Sequence, residues 1–328
     1  MNESWRPSAS LATLRRRAAA LAASRAFFGA RGVLEVETPA LVNAPVSDVN
    51  LGSVRVDMAG HPTPLWLHTS PEYAMKRLLA AGSGDIFQIC RVYRAAERGR
   101  QHNPEFTMLE WYRLGFSLEE LMSEVAALVN ELLTTALPVE FVSYRDALRR
   151  YANVDPFDSD DAALRRAAQS LGFDAAQGFK AGGPRAREAG RDELLDLIVG
   201  ASVGPALGTN ALTFLHRYPA SQAALARLDP HDSRVALRFE LYHRGIELAN
   251  GYHELSSGPE QRSRFAADLE ARAARGLPAA AIDANLLAAL DAGLPDCAGV
   301  ALGFDRVLML ACDAVKIDDV LAFPLERA

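Results

Sequence analysis

Residues 91–113, RVYRAAERGRQHNPEFTMLEWYR, constrain the fold of this chain more than any other segment. Ile86 to Tyr93 reads as one strand and Phe106 to Arg113 as another, which predicts an antiparallel hairpin with a long turn. The turn is rich in Arg, Gly and Asn. Guanidinium groups donate paired hydrogen bonds to phosphate oxygens, so such a turn suits a loop that closes over phosphates and a base.

The rest of the chain predicts an α+β fold. Leu11, Leu14, Ala18 and Leu21 stand at helical spacing over residues 10–28, and Gly29 and Gly32 end the pattern. Val33 to Glu37 then alternates as a strand and stops at Pro39. His68 to Gly82 reads as a strand end, a loop and a helix, with Pro71 in the first helical turn and Glu72 at the positive helix start. Ser117 to Leu133 predicts a further helix, and residues 143–203 a mainly helical insertion interrupted by a Gly-, Pro- and Arg-rich stretch near 178–190. Strands return at Leu212–His216, Val235–Tyr242 and Glu247–Leu255, Pro259–Arg275 is helical, and GVALGFDRVLMLACDA closes the chain as a strand entering a helix.

Composition removes several alternatives. A net charge of −6 gives no overall basic field for nucleic acid. Cys90, Cys297 and Cys312 are far apart and form no C-x-x-C, which argues against a disulfide framework or a zinc site. Arg15 to Arg17 interrupt the first apolar stretch, so no signal peptide is read, and no apolar run is long enough to span a bilayer. A cytoplasmic location is the expectation. The arginines at 15–17 read as a solvated helix face. Neither a G-x-x-x-x-G-K-[ST] loop nor a G-x-G-x-x-G after a strand occurs, so no P-loop or Rossmann site is offered.

Three blocks in order carry a family likeness. Residues 27–41 (FFGARGVLEVETPAL) resemble motif 1 of the class II aminoacyl-tRNA synthetases, residues 91–113 resemble motif 2, and GVALGFDR resembles motif 3. The form is that of the lysine enzymes. The resemblance implies a single catalytic domain over 1–328, an antiparallel sheet flanked by helices, and a homodimer through motif 1. It also implies ATP and Mg²⁺ as cofactors. Arg94 matches the arginine on the α-phosphate and substrate carboxylate, and Arg306 the one on the γ-phosphate; both are the expected catalytic residues. His102 and Asn103 match the loop bordering the nucleotide, and Phe106 the ring stacked on adenine. Gly303 belongs to the same ATP-binding set. Glu240 and Glu247 match the magnesium carboxylates, with Glu247 also counted at the nucleotide. Ser70, Pro71, Glu72, Glu110, Tyr112, Asn250, Glu254 and Ala301 match the substrate pocket. Glu72 is the expected partner of the amino group near the carboxylate, and Glu254 that of the distal ammonium. So many acids imply a substrate with two ammonium groups.

Two departures from the lysine enzymes refine this expectation. Motif 1 begins within the first few residues, leaving no room for an anticodon-reading domain, so anticodon recognition is not expected. Where those enzymes resemble G-x-G-x-G-x-D-R, this chain has Gly299, Ala301 and Gly303. The methyl of Ala301 reshapes the pocket floor in a way that suits an amino group moved from the α to the β carbon. The chain therefore resembles the truncated paralogues that activate (R)-β-lysine and transfer it to a lysine of elongation factor P. The alternatives are a stand-alone enzyme charging tRNA or another carrier with lysine, and a catalytically silent synthetase-like subunit. Ala96 stands where the family often has an acid for the adenine amino group, so that contact is left unassigned.

Overall fold

The computed structural model describes residues 5–173 and 189–328. They form two compact units. One comprises Met1–Ala136, Ser256–Leu269 and Ala280–Ala328; the other comprises Leu137–Leu255 and Glu270–Ala279. Each carries a mostly antiparallel sheet with helices, in keeping with the α+β expectation.

In the first unit, strands Leu34–Glu35, Ile86–Tyr93, Glu105–Leu114 and Cys297–Gly303 lie side by side in that order. The first pairing is parallel and the other two are antiparallel. Side chains alternate across a strand, so Leu109 and Trp111 face one side while Phe106, Met108, Glu110 and Tyr112 share the other. The apolar side is covered by helices. Phe28 stacks on Phe87 at 4.5 Å between ring centroids and meets Trp111 at 5.2 Å. Helix Leu118–Leu133 buries Leu121, Val125, Leu128 and Val129. Ser117 caps that helix with Glu120 in a reciprocal capping box, so the chain enters it with its first amides satisfied.

The motif 1 helix runs over Leu11–Gly29, with Ser10 as its cap. Its buried residues are Ala20, Ser24, Phe27 and Phe28, and not the leucine stripe that the spacing suggested. Leu11 is 67% exposed, and Leu34 in the following strand 53%. Arg17 also departs from the solvated reading: its guanidinium pairs with the buried Asp305 carboxylate and donates to Thr107. A three-stranded sheet in the order Leu41–Val42, Leu65–Leu67, Val54–Val56 and a helix at Ala284–Gly293 were not anticipated.

In the second unit, Val139–Ser143 pairs parallel with Leu212–Pro219, which pairs antiparallel with Asp232–His243, which pairs antiparallel with Ile246–His253. The expected helical insertion contains Tyr144–Ala152, Asp161–Ser170 and Arg191–Ile198, followed by a π-turn at Val199–Val203. Tyr144, Leu148, Leu164, Leu194 and Ile198 pack with Leu215 and Tyr218 into one core. Residues 174–188, which hold most of the Gly-, Pro- and Arg-rich interruption, lie outside the described residues.

Candidate active site

The long hairpin has the expected form, and its turn is ordered by its own backbone. Arg94 N–H donates to the Pro104 carbonyl at 2.9 Å, and Gly99 and His102 exchange amide bonds at 3.1 and 3.3 Å. Ala96 takes a left-handed backbone, φ 64°. Arg94 lies over the Phe106 ring at 5.1 Å and 3.9 Å from a Glu97 oxygen, while its Nε is buried with no hydrogen-bond partner. A buried guanidinium N–H left unsatisfied costs stability unless a ligand takes it up.

His102 and Arg306, expected at the nucleotide from different motifs, touch directly. The Arg306 guanidinium donates to His102 Nε2 at 2.7 Å. An imidazole nitrogen accepts only when unprotonated, so His102 is neutral with its proton on Nδ1. Burial first, then the positive Arg306, holds the imidazole below its ordinary range. Asn103 is buried and braces the loop: its Nδ2 donates to the Glu105 carbonyl at 2.7 Å, and its Oδ1 accepts from Leu325 N–H at 3.2 Å.

The residue before Arg306 is an anchor. Asp305 is 1% exposed, accepts from Thr107 N–H at 2.6 Å, and pairs with Arg17, whose guanidinium carbon lies 5.4 Å from the Phe304 ring. One buried carboxylate thus ties the motif 1 helix, the motif 2 strand and the motif 3 helix Phe304–Ala311 together. The sequence reading missed Asp305, Thr107 and Arg17, because their link spans nearly the whole chain.

On the polar side of the same sheet, register decides which residues meet. Glu110 stands opposite Gln88 on one neighbour and Ala301 on the other; Tyr112 stands opposite Ile86 and Gly299. Gly303 stands opposite Met108. Ala301 therefore shares a face with Glu110 and Tyr112. The buried Glu110 carboxylate accepts from Ser70 Oγ and from Tyr112 Oη, each at 2.7 Å. Ser70 Oγ in turn accepts from Glu72 N–H at 3.0 Å, and Pro71 is the cap residue just before helix Glu72–Ala80. Glu72 itself pairs with Lys76 Nζ at 2.7 Å, and Lys76 is 1% exposed. Lys76 was not singled out from the sequence, although its position four residues after Glu72 was the available signal.

In the second unit, Arg244 and Gly245 both have positive φ, 50° and 70°. Two such residues between paired His243 and Ile246 make the tight turn that twists with its strands. Tyr242 then pairs with Glu247, but Leu241 pairs with Ala249 and Glu240 with Asn250. The register shift inserts Leu248 as an extra residue. Residues 247 and 250 would face opposite sides of a regular strand; the bulge brings both to the face of Glu240 and Tyr242. Glu240 is 8% exposed, accepts from Arg238 at 2.6 Å on one oxygen and from Tyr242 Oη at 2.7 Å on the other. Burial, then the Glu240 charge, pushes the Tyr242 hydroxyl well above its ordinary value, so it stays a donor. Asn250 Oδ1 accepts from Arg238 Nε at 3.2 Å, and its amide donates to Tyr252 Oη at 3.1 Å. Glu254 is 1% exposed, just beyond the strand. Arg238 organises this group and was missed, though it stands two residues before Glu240.

Among the described residues, no three His, Cys, Asp or Glu side chains cluster as a metal site, and no helix is long and apolar enough to cross a membrane.

Comparison with known proteins places this geometry. Residues 4–327 match the family model described as tRNA synthetases class II (D, K and N). The chain is 50% identical over 328 residues to the elongation factor P–(R)-β-lysine ligase of Erwinia tasmaniensis, covering 99% of this chain and 98% of that one. It is 50% identical over 329 residues to the ligase of the same name from Pectobacterium carotovorum, and 49% identical over 328 residues to that of Klebsiella pneumoniae, with the same coverage. The motifs, the sheet that carries them and the match along almost the whole sequence make one conclusion: this chain belongs to the class II tRNA synthetase family of the D, K and N type.

Proposed function

We propose that the protein is an ATP-dependent ligase that activates (R)-β-lysine and transfers it to the ε-amino group of a lysine on elongation factor P. The observation that carries this reading is the identity of about half the residues, along nearly the full length of both chains, with ligases of that name.

The reaction has two displacements. The amino-acid carboxylate attacks the α-phosphorus of ATP, and the bond to pyrophosphate breaks. The acceptor amine then attacks the carbonyl carbon of the adenylate, loses a proton, and AMP leaves. Positioning and charge stabilisation do most of this work. Arg94, with its uncommitted Nε, supplies donors to the α-phosphate and the attacking carboxylate. Arg306, steadied by His102, supplies charge to the γ-phosphate. Phe106 offers a stacking face. Glu110, Tyr112, Ser70 and Glu72 form a hydrogen-bonded cluster that supports recognition of substrate amino groups. Glu254 supplies a buried carboxylate for the distal ammonium.

Glu240 and Glu247, which the bulge at Leu248 brings to one face, would hold a magnesium ion. The Glu240 oxygens accept from Arg238 and Tyr242, and hard carboxylate oxygens would suit this cation. When bound, such an ion would supply positive charge against the triphosphate.

Pyrophosphate exchange in the presence of (R)-β-lysine tests the assignment. Arg306→Ala should lower the rate at least ~100-fold, the scale of losing one charge-stabilising donor. Wild-type exchange by Arg306→Ala or Glu247→Gln would refute these roles.

A further inference from the structure

The outer side of the hairpin loop is tied to a segment remote in sequence, residues 315–327. Arg98 is the centre of the tie. Its Nε donates to Glu326 Oε1 at 2.7 Å, and one terminal nitrogen donates to Glu326 Oε2 at 2.7 Å and to Asp318 Oδ2 at 2.9 Å. Its other terminal nitrogen reaches back into the loop, to the carbonyls of Gly99 at 3.4 Å and His102 at 3.3 Å. Further bonds flank it: Arg100 Nε to the Val315 carbonyl at 2.9 Å, Ile317 N–H to the Arg100 carbonyl at 2.9 Å, and Leu325 N–H to Asn103 at 3.2 Å. The far partner is anchored, because Ile317, Val320 and Leu321 are buried. Charge-assisted forks of this kind are the stronger and more directional hydrogen bonds.

The bonds run in an unbroken series. Glu326 and Asp318 fix Arg98, Arg98 holds the His102 carbonyl, and the His102 ring accepts from Arg306. We propose that Arg98, clamped by Glu326 and Asp318, is a positioning residue that sets His102 and, through it, Arg306 for the nucleotide. This deepens the ATP-ligase reading and rests on it for its kinetic consequence. Arg98 touches no reacting atom. Its guanidinium has polar partners on every nitrogen, so it is occupied as a brace, in contrast to Arg94 with its free buried Nε. The Arg98 fork also holds the Glu326 carboxyl down to about 2, which keeps the clamp charged across the neutral range.

The test uses Arg98→Met and, separately, the double variant Glu326→Gln, Asp318→Asn. Two readouts need no activity. Amide hydrogen exchange at Gly99 and His102 should quicken roughly 10-fold or more, since the loop loses its charged tether. The His102 imidazole resonance should move, because its bond to Arg306 is no longer fixed. The third readout is pyrophosphate exchange: KM for ATP should rise roughly 5- to 10-fold, KM for the amino acid should change little, and combining all three substitutions should add almost nothing to Arg98→Met, as for groups acting through one another. Arg98→Lys, which keeps the charge and loses the fork, should fall in between. Unchanged amide rates or an unmoved imidazole would overturn the positioning. Faster amides with an unchanged KM for ATP would reduce the clamp to a structural brace and overturn it equally. If the unaltered protein shows no pyrophosphate exchange, the ATP reading fails instead, and the amide and imidazole measurements decide the clamp by themselves.

Discussion

Substitution of Asp305 by Ala should destabilise the first unit, because it removes a buried polar anchor. The carboxylate is 1% exposed and has two partners, the Arg17 guanidinium, 12% exposed, and the Thr107 amide. Breaking a buried ion pair from one side costs ~3–5 kcal/mol, because the remaining charge stays desolvated. An orphaned buried N–H costs ~1–3 kcal/mol by itself. The two losses share one site and do not simply add. Arg17 also retains Thr107 Oγ1 and the Phe304 face, which softens its loss. The expected net cost is therefore near the low end of the ion-pair range, ~3 kcal/mol. Asp305→Asn keeps an acceptor for the Thr107 amide and should cost about half as much. All three tryptophans, Trp5, Trp66 and Trp111, lie in the first unit, so their fluorescence in urea follows this unit. A cost below ~1 kcal/mol for Asp305→Ala, with an unchanged dependence on urea, would refute the buried anchor.

Other expectations follow from the same geometry. His102 should titrate below the ordinary ~6.5 in the folded protein, and Arg306→Ala should raise it by removing a neighbouring positive charge, as nuclear magnetic resonance would show. A depressed histidine value means that the unfolded chain binds the proton more readily, so its share of stability is present above pH ~6.5 and is lost as pH falls below that. Ala301→Gly should raise activation of L-α-lysine relative to (R)-β-lysine by roughly 10- to 200-fold, the worth of one methyl in a tight pocket, with ATP binding nearly unchanged; an unaltered kcat/KM ratio would end the pocket-floor argument. A two-fold dimer through motif 1 is expected in solution, since Leu11 and Leu34 stand exposed there; light scattering that returns a monomer at micromolar concentration would refute it.

Local pattern made some of this legible and long-range pairing hid the rest. The strand Ile86–Tyr93, the helix Leu118–Leu133 with its Ser117 cap, and the strand-to-helix passage at Gly303 could be read because each is set by alternation, capping residues or periodicity within a few positions. Strands of two or three residues at 41–42, 54–56 and 65–67 are too short to show a period. The motif 1 helix misled, because its leucines, exposed at Leu11 and only half-buried at Leu14 and Leu21, carry the visible stripe while alanine, serine and phenylalanine fill the inward face. At the site, residue types and motif order pointed to Arg94, His102, Glu110, Glu240 and Arg306. They could not show that Arg306 donates to His102, that Lys76 neutralises Glu72, or that a bulge at Leu248 turns Glu247 and Asn250 to one face. Those facts depend on register and on partners distant in sequence.

The most direct measurement of the central claim is pyrophosphate exchange with (R)-β-lysine and L-α-lysine side by side, followed by transfer of the labelled amino acid to elongation factor P or to tRNA. The account predicts faster exchange with (R)-β-lysine and label that appears on an elongation factor P lysine and not on tRNA. Preference for L-α-lysine with charging of tRNA, or no exchange with either amino acid, would contradict it.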